Sequence, residues 1–449
     1  MLSLAVPVVL AEIGWVSMGI VDTIMVGPLG PAAIGAVGVG STLFIALAVF
    51  GIGLLLGLDT LVSQAFGAGR VEECHRWLRH GVALALLLTL PLTAVAWIGT
   101  ASLGVWGFAP EVLALTGPYL GIVIWSTPPL LLYAAFRRYL QAINVVRPVM
   151  VALVSANVVN AVANWALVYG HLGAPALGVN GAAWATVISR VYMAMALLAT
   201  IIAHDRRHAT GLFAVAPNVE IVRLRRLVAL GLPAALQVVL EVGVFASASA
   251  FAGRLAPVSL AAHQIVLNMA AFTFMVPLGL SSAAAVRVGQ AVGRRDPEGA
   301  ARAGWTALAL GLTFMSAAAL TFLLAPRLLL SLFTTDPTVT RLGVSLLFIA
   351  AIFQLFDGTQ GVLTGALRGL GDTRTPMIWN LAGHWLLGLP LGYSLCFVWG
   401  WGVSGLWVGL SIGLIAVGLV LLTAWVRRVG SLSGEASADR RQPQASFFP

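Results

Sequence analysis

Lysine is missing from these 449 residues, so all 25 basic side chains are arginine, and aspartate and glutamate together number only 16. Charged residues make up 9% of the chain and hydrophobic ones 59%, at a mean hydropathy of +0.97. A water-facing surface needs far more charge than that, which excludes a soluble globule. Cysteine is nearly absent as well. Cys74, expected in a cytoplasmic loop, and Cys396, within an apolar run, have no CxxC or Cys/His neighbour, which excludes a disulfide framework and a zinc cluster. No HExxH, Ser/His pair or metal cluster lies within the apolar runs, so the chain reads as neither an enzyme nor a cofactor binder. MLSLAVPVVL shows no basic leader or small-residue cleavage site and runs straight into apolar sequence.

What is present is a succession of apolar runs long enough to cross a bilayer as helices. Twelve are placed near 2–26, 32–62, 81–104, 113–136, 148–169, 181–203, 228–252, 259–286, 303–324, 343–367, 377–398 and 403–426. The predicted fold class is an all-α polytopic membrane protein. With both termini cytoplasmic, every arginine except Arg190, Arg254, Arg327 and Arg341 falls on the inner side, Arg137 and Arg138 included. That asymmetry is the positive-inside rule. The formal charge of +9 is therefore a topology signal, and it flanks spans instead of forming a patch for nucleic acid.

The chain repeats itself. At an offset of 226 residues, Pro7 answers Pro233, Gln64 answers Gln290 and Gly67 answers Gly293. RPVM from Arg147 answers TPMI from Thr375, and GVNG from Gly178 answers GVSG from Gly402. Two six-span lobes follow, 1–215 and 216–429, with a polar tail over 430–449 expected to be disordered. An even number of spans per lobe makes the repeats parallel, and such transporters bind substrate between the halves near the midplane. The second half opens with a basic lead-in, VEIVRLRRL, whereas the first begins abruptly at Met1, which reads as a lead-in lying upstream.

A charge at the centre of a membrane helix costs roughly 2.5 to 3.5 kcal/mol, so intramembrane ionisable residues are candidates for an ion or substrate pathway. In FQLFDGTQ, the ring of Phe353, the amide of Gln354 and the carboxylate of Asp357 share one helical face. Gln237, Glu241 and Phe245 form a matching stripe at four-residue spacing, and the two stripes are expected to converge inside the C-terminal lobe. Such a pair of carboxylates suits a proton or a sodium ion. In the first half, Asn157, Asn160 and Asn164 form a polar stripe able to hydrogen-bond Asp22, with helix-to-helix glue as the alternative. Glu12 is expected to pair with Arg190, and Asp59, within reach of water and Arg70, to be solvated or to have a gating role. His263 reads as a packed, hydrogen-bonded histidine, and Gln64 and Gln290 as anchors at helix ends.

Taken in order, VDTIMVGPLG, LVSQAFGAGR, NAVANW, AAHQIVLN, VRVGQAVGRRD and FQLFDGTQ resemble the multidrug and toxic compound extrusion (MATE) family, especially its NorM-like branch. The resemblance runs from about Leu4 to Val426. It implies two six-helix lobes forming a V around a central cavity in the bacterial inner membrane. It also implies a monomeric exporter of amphipathic cationic drugs or toxins, driven by inward flow of protons or sodium. By position, the family's cation-site carboxylates fall on Glu241 and Asp357, its helix-one aspartate on Asp22, its helix-five polar pair on Asn160 and Asn164, and a threonine of its N-lobe cluster on Thr186. Asn164 stands where some relatives have aspartate and Phe353 where some have tyrosine, which tilts the expectation from sodium toward protons. A flippase for lipid-linked sugars shares the architecture, but it would need an arginine-rich cavity, and here the intramembrane charge is mostly acidic.

Overall fold

The computed structural model describes residues 1–105, 107, 109–215 and 218–439, the last seven of them by backbone alone. Twelve helical spans cross its length. In the first half they are α1 (Leu2–Leu29), α2 (Pro31–Gly67), α3 (Val71–Val105), α4 (Pro110–Ala142), α5 (Arg147–Tyr169) and α6 (Val179–His208). In the second they are α7 (Ile221–Ala252), α8 (Pro257–Gly293), α9 (Pro297–Leu324), α10 (Pro337–Leu370), α11 (Arg374–Val398) and α12 (Gly402–Leu432). Every expected span falls inside one of these. Among the described residues there is no strand, as lipid requires of anything other than a closed barrel.

Helix starts follow local chemistry. Proline occupies the first turn of α2, α4, α8, α9 and α10, where its missing N–H has no intrahelical partner to lose. The carboxylates of Asp296 and Asp336 cap α9 and α10 by accepting backbone N–H groups of Gly299 and Thr338 at 2.8 and 2.7 Å. At the other end of α10, Gly371 adopts φ +91°, the left-handed conformation that closes the tight turn into α11.

Besides short 3-10 stretches at the ends of α1 and α3 and at Ile124–Ser126 within α4, two spans depart from straight α-helix. α2 breaks between Leu54 and Gly57 and resumes through Gly67, five residues beyond the expected end at 62. α11 contains two π-helical stretches, Leu381–Gly388 and Ser394–Val398. The backbone of α12 continues as helix to Asp439, into the stretch expected to be a disordered tail; residues 440–449 of that tail lie outside the described residues.

The chain forms two compact units. One contains Leu2–Val62 and Arg70–Val242, the other Ser63–Gly69 and the chain from Gly243 on. The short segment Ser63–Gly69 joins the second unit through close backbone packing. A Cβ on Gly67 would stand 2.0 Å from the carbonyl oxygen of Gln290, and one on Gly293 would stand 2.1 Å from that of Gln64. Gln64 Nε2 adds a bond to the carbonyl of Gly369 at 3.1 Å, so this glutamine is an anchor between helices.

Candidate functional site

Three helices of the first unit converge on one carboxylate. Asp22, on the second half of α1, is buried, and its Oδ1 accepts hydrogen bonds from Asn160 Nδ2 at 3.0 Å and Asn164 Nδ2 at 2.8 Å. Its Oδ2 accepts one from the Thr186 hydroxyl at 3.0 Å. Asn160 and Asn164 lie one turn apart on α5, which is why both amides reach the same oxygen, while Thr186 approaches from α6. All three partners are neutral donors. Arg190, on the same helix as Thr186, acts on Asp22 only through space. Its guanidinium instead bonds Ser126 Oγ at 2.5 Å and lies 4.4 Å from the ring centre of Phe44.

Asn157 does not join this cluster. It donates to the backbone carbonyls of Gly14 and Leu153, both at 3.0 Å, and so ties α5 to α1. The stripe expected from spacing therefore divides, with two asparagines on the carboxylate and one acting as glue.

The remaining charges of this unit overturn two expectations. Glu12 pairs with Arg137, not with Arg190. Asp59 is fully buried and paired with Arg138 Nη1 at 3.4 Å, not solvated near Arg70. Both arginines were expected in a cytoplasmic segment, but the last helical stretch of α4 runs from Thr127 to Ala142 and draws them inside. The first left-handed residue after it is Asn144, φ +66°. Hydropathy ends the span at the first arginine, whereas the helix ends at the first residue that turns the chain. The only sequence signal for this was the absence of any helix breaker in FRRYLQA.

In the second unit, Asp357 is buried in the middle of α10. Phe353, one turn earlier, packs edge-on against Phe245 and Trp407 with ring centres 6.1 and 5.8 Å apart. Gln354 donates to the Thr273 hydroxyl at 2.6 Å. His263 is the packed histidine expected, accepting from Trp407 Nε1 at 3.1 Å while its other ring nitrogen meets Ser249 Oγ at 2.9 Å. On α7, Gln237 lies one turn before Glu241. These two fall in the first unit and Phe245 in the second, so the α7 stripe is divided, and Glu241 and Asp357 belong to different units. The sequence reading passed over Gln360 and His384, buried in the second unit with Gln360 Oε1 and His384 Nε2 at 3.2 Å.

Comparison with known proteins follows the same two-part layout. The MatE family model matches the chain twice, over residues 7–166 and 233–394, and the second match starts 226 residues after the first. The chain belongs to the MatE family. Its NorM-like character shows in a probable multidrug resistance protein NorM of Mesorhizobium japonicum, 38% identical over 434 residues, which cover 95% of this chain and 93% of the relative. The multidrug resistance protein NorM of Burkholderia vietnamiensis is 36% identical over 94% of this chain and 92% of its own. Among solved structures, a eukaryotic MATE transporter, AtDTX14, superposes at a TM-score of 0.85 with 20% identity over 97% of both chains. A MATE protein in the bent conformation does so at 0.87 with 18% identity, over 97% of this chain and 96% of that one. At such identities the structures speak for the MatE fold alone.

Proposed function

We propose that this membrane protein is a cation-coupled antiporter that exports amphipathic organic cations by alternating access. The observation that carries the reading is Asp22, a buried carboxylate held by three neutral donors from two other helices and bonded to no arginine. Glu12 and Asp59 in the same unit are, by contrast, each paired with an arginine. A buried charge kept without a counter-ion is available to a cation that comes and goes. The relatives named as multidrug resistance proteins support the same reading for the cargo.

We take the coupling ion to be a proton, because Asn164 presents an amide N–H to Asp22 where a second carboxylate would add the negative charge and oxygen ligands that sodium favours. Arrival of a proton converts the carboxylate to a neutral acid, and an organic cation beside it loses its counter-charge and leaves. Departure of the proton restores the charge and with it the affinity for cargo. Linkage makes the effect reciprocal: bound cargo weakens proton affinity by the same factor. Asp357, buried one turn after the Phe353 ring, serves as a second exchange point of the same kind within its own unit, and Glu241 is a further candidate within the other. The apolar rings suit the flat, greasy part of an amphipathic cation. In this reading the protein acts as a monomer in the bacterial inner membrane with both termini in the cytoplasm, and it needs no cofactor beyond the coupling ion.

The test is transport in reconstituted vesicles. Ethidium is expected to move against an imposed pH gradient, and Asp22→Asn and Asp357→Asn to uncouple it. Ethidium flux indifferent to both pH and sodium gradients would exclude antiport.

A further inference from the structure

The hairpin of α10 and α11 holds polar side chains for which the antiport reading has no use. Gln360, Asn380 and His384 are each 1% exposed. With Gln360 Oε1 accepting from His384 Nε2–H, the other ring nitrogen, Nδ1, is left as a bare acceptor. That nitrogen, Gln360 Nε2, Thr364 Oγ1 and both amide atoms of Asn380 are buried and have no hydrogen-bond partner among the described residues. The same is true of Gln354 Oε1, one turn before Asp357.

These residues follow one another at helical spacing. Gln360 stands three residues after Asp357, Thr364 one turn further along α10, and Asn380 one turn before His384 on α11. Thr364 on α10 and Asn380 on α11 each lie four residues from the Gln360–His384 contact, on the side toward the Gly371 turn. The π-helical stretch that carries His384 begins at Leu381, directly after Asn380. Widened turns of this kind recur at functional sites.

Buried polar groups in native proteins are satisfied, and where protein atoms do not do so, ordered water does. The mixture of atoms identifies the occupant. Gln360 Nε2 and Asn380 Nδ2 only donate, His384 Nδ1 and Asn380 Oδ1 only accept, and the Thr364 hydroxyl does both; such a mixture of donors and acceptors matches water, which does both, whereas the donors offer a sodium ion nothing.

We propose that Gln360, Thr364, Asn380 and His384 hold a file of buried water that conducts protons between Asp357 and the α10–α11 turn. The inference rests on the proton-antiport reading and adds the route. The Asp357 carboxyl gives its proton to the adjacent water, each water in turn breaks one O–H bond as it accepts another, and a proton emerges at the turn, leaving Asp357 as carboxylate. The charged groups bordering the route are Asp357 at one end and, at the other, Arg368 on α10 and Asp372, which is paired with Arg428 at 2.7 Å. Beside His384, α7 contributes the Phe245 ring at 6.5 Å, and α12, which packs against the same π-helical stretch, carries no titratable residue from Gly402 to Val426.

The full chain in vesicles tests this by separating two fluxes of ethidium. Net export driven by a pH gradient requires proton passage; ethidium–ethidium exchange does not. Asn380→Leu and Thr364→Val are expected to slow net export on the order of tenfold or more while exchange stays close to wild type, and Thr364→Ser, which keeps the hydroxyl, to behave as wild type in both. Hydroxyl-radical footprinting, which marks residues beside bound water, is expected to label His384 and Trp385 in the wild type and to lose that label in Asn380→Leu. Equal loss of both fluxes, or no labelling in the wild type, overturns the route. A wild type that ignores the pH gradient overturns antiport and the route with it; a wild type that responds and is matched by Asn380→Leu overturns the route alone.

Discussion

Asn164 and Asp22 meet at 2.8 Å, amide to carboxylate, from α5 to α1. Removing that donor leaves a buried charge with one hydrogen bond fewer, a loss of about 1 to 3 kcal/mol. Asn164→Leu is therefore expected to lower the unfolding temperature in detergent. The double variant Asp22→Asn, Asn164→Leu should lose less than the two single changes added together, because the charge that needed the donor has gone. Additive losses would show that the two residues act separately.

Glu12 and Arg137 form a buried pair in the same unit. Breaking such a pair by deleting one partner costs roughly 3 to 5 kcal/mol, whereas replacing both by apolar residues of similar size is close to neutral. Arg137→Met alone is expected to reduce the yield of folded protein sharply. Glu12→Met together with Arg137→Met should restore it, as read by size-exclusion profile and thermal unfolding.

A methyl group has no room at Gly67, whose Cβ would meet the Gln290 carbonyl at 2.0 Å, while Gly38 has nothing within 4 Å. Overpacking of this kind costs about 1 to 3 kcal/mol. Gly67→Ala is expected to destabilise the protein, and Gly38→Ala to leave its unfolding temperature unchanged or slightly raised. Because Gly293 makes the mirrored contact with Gln64, Gly293→Ala should match Gly67→Ala in size.

Acid should loosen the start of α10. Hydrogen bonds from the backbone N–H groups of Thr338 and Val339 hold the Asp336 carboxyl below its ordinary value of 3.8. A lowered folded value means that the capped helix is favoured above pH 3.8, the unfolded value, and that this advantage is lost as pH falls through the folded one. Amide exchange in the first turn of α10 should be faster in Asp336→Ala than in wild type near neutral pH, and the difference should vanish in strong acid.

The number of spans and their order were legible because lipid demands long apolar helices, and the doubling was legible because Pro7, Gln64 and Gly67 recur at one fixed offset. Asp22, Asn160 and Asn164 could be read as one cluster because a four-residue spacing places two amides on one face. What spacing cannot supply is the partner of a long side chain. Arg137 and Arg138 reach Glu12 and Asp59 only because α4 runs past the end of its apolar stretch, and hydropathy does not register that continuation. Gln360 and His384 escaped notice for a different reason. Each is unremarkable within its own helix, and they acquire meaning only where the Gly371 turn folds α11 back on α10.

Cys74 and Cys396 are both buried, and no lysine exists anywhere in the chain. Thiol-reactive and amine-reactive dyes therefore find almost no purchase on the natural molecule apart from its amino terminus. A single cysteine introduced on an exposed turn becomes a near-exclusive attachment point, so fluorescence or spin-label reporters of motion need no prior stripping of native residues.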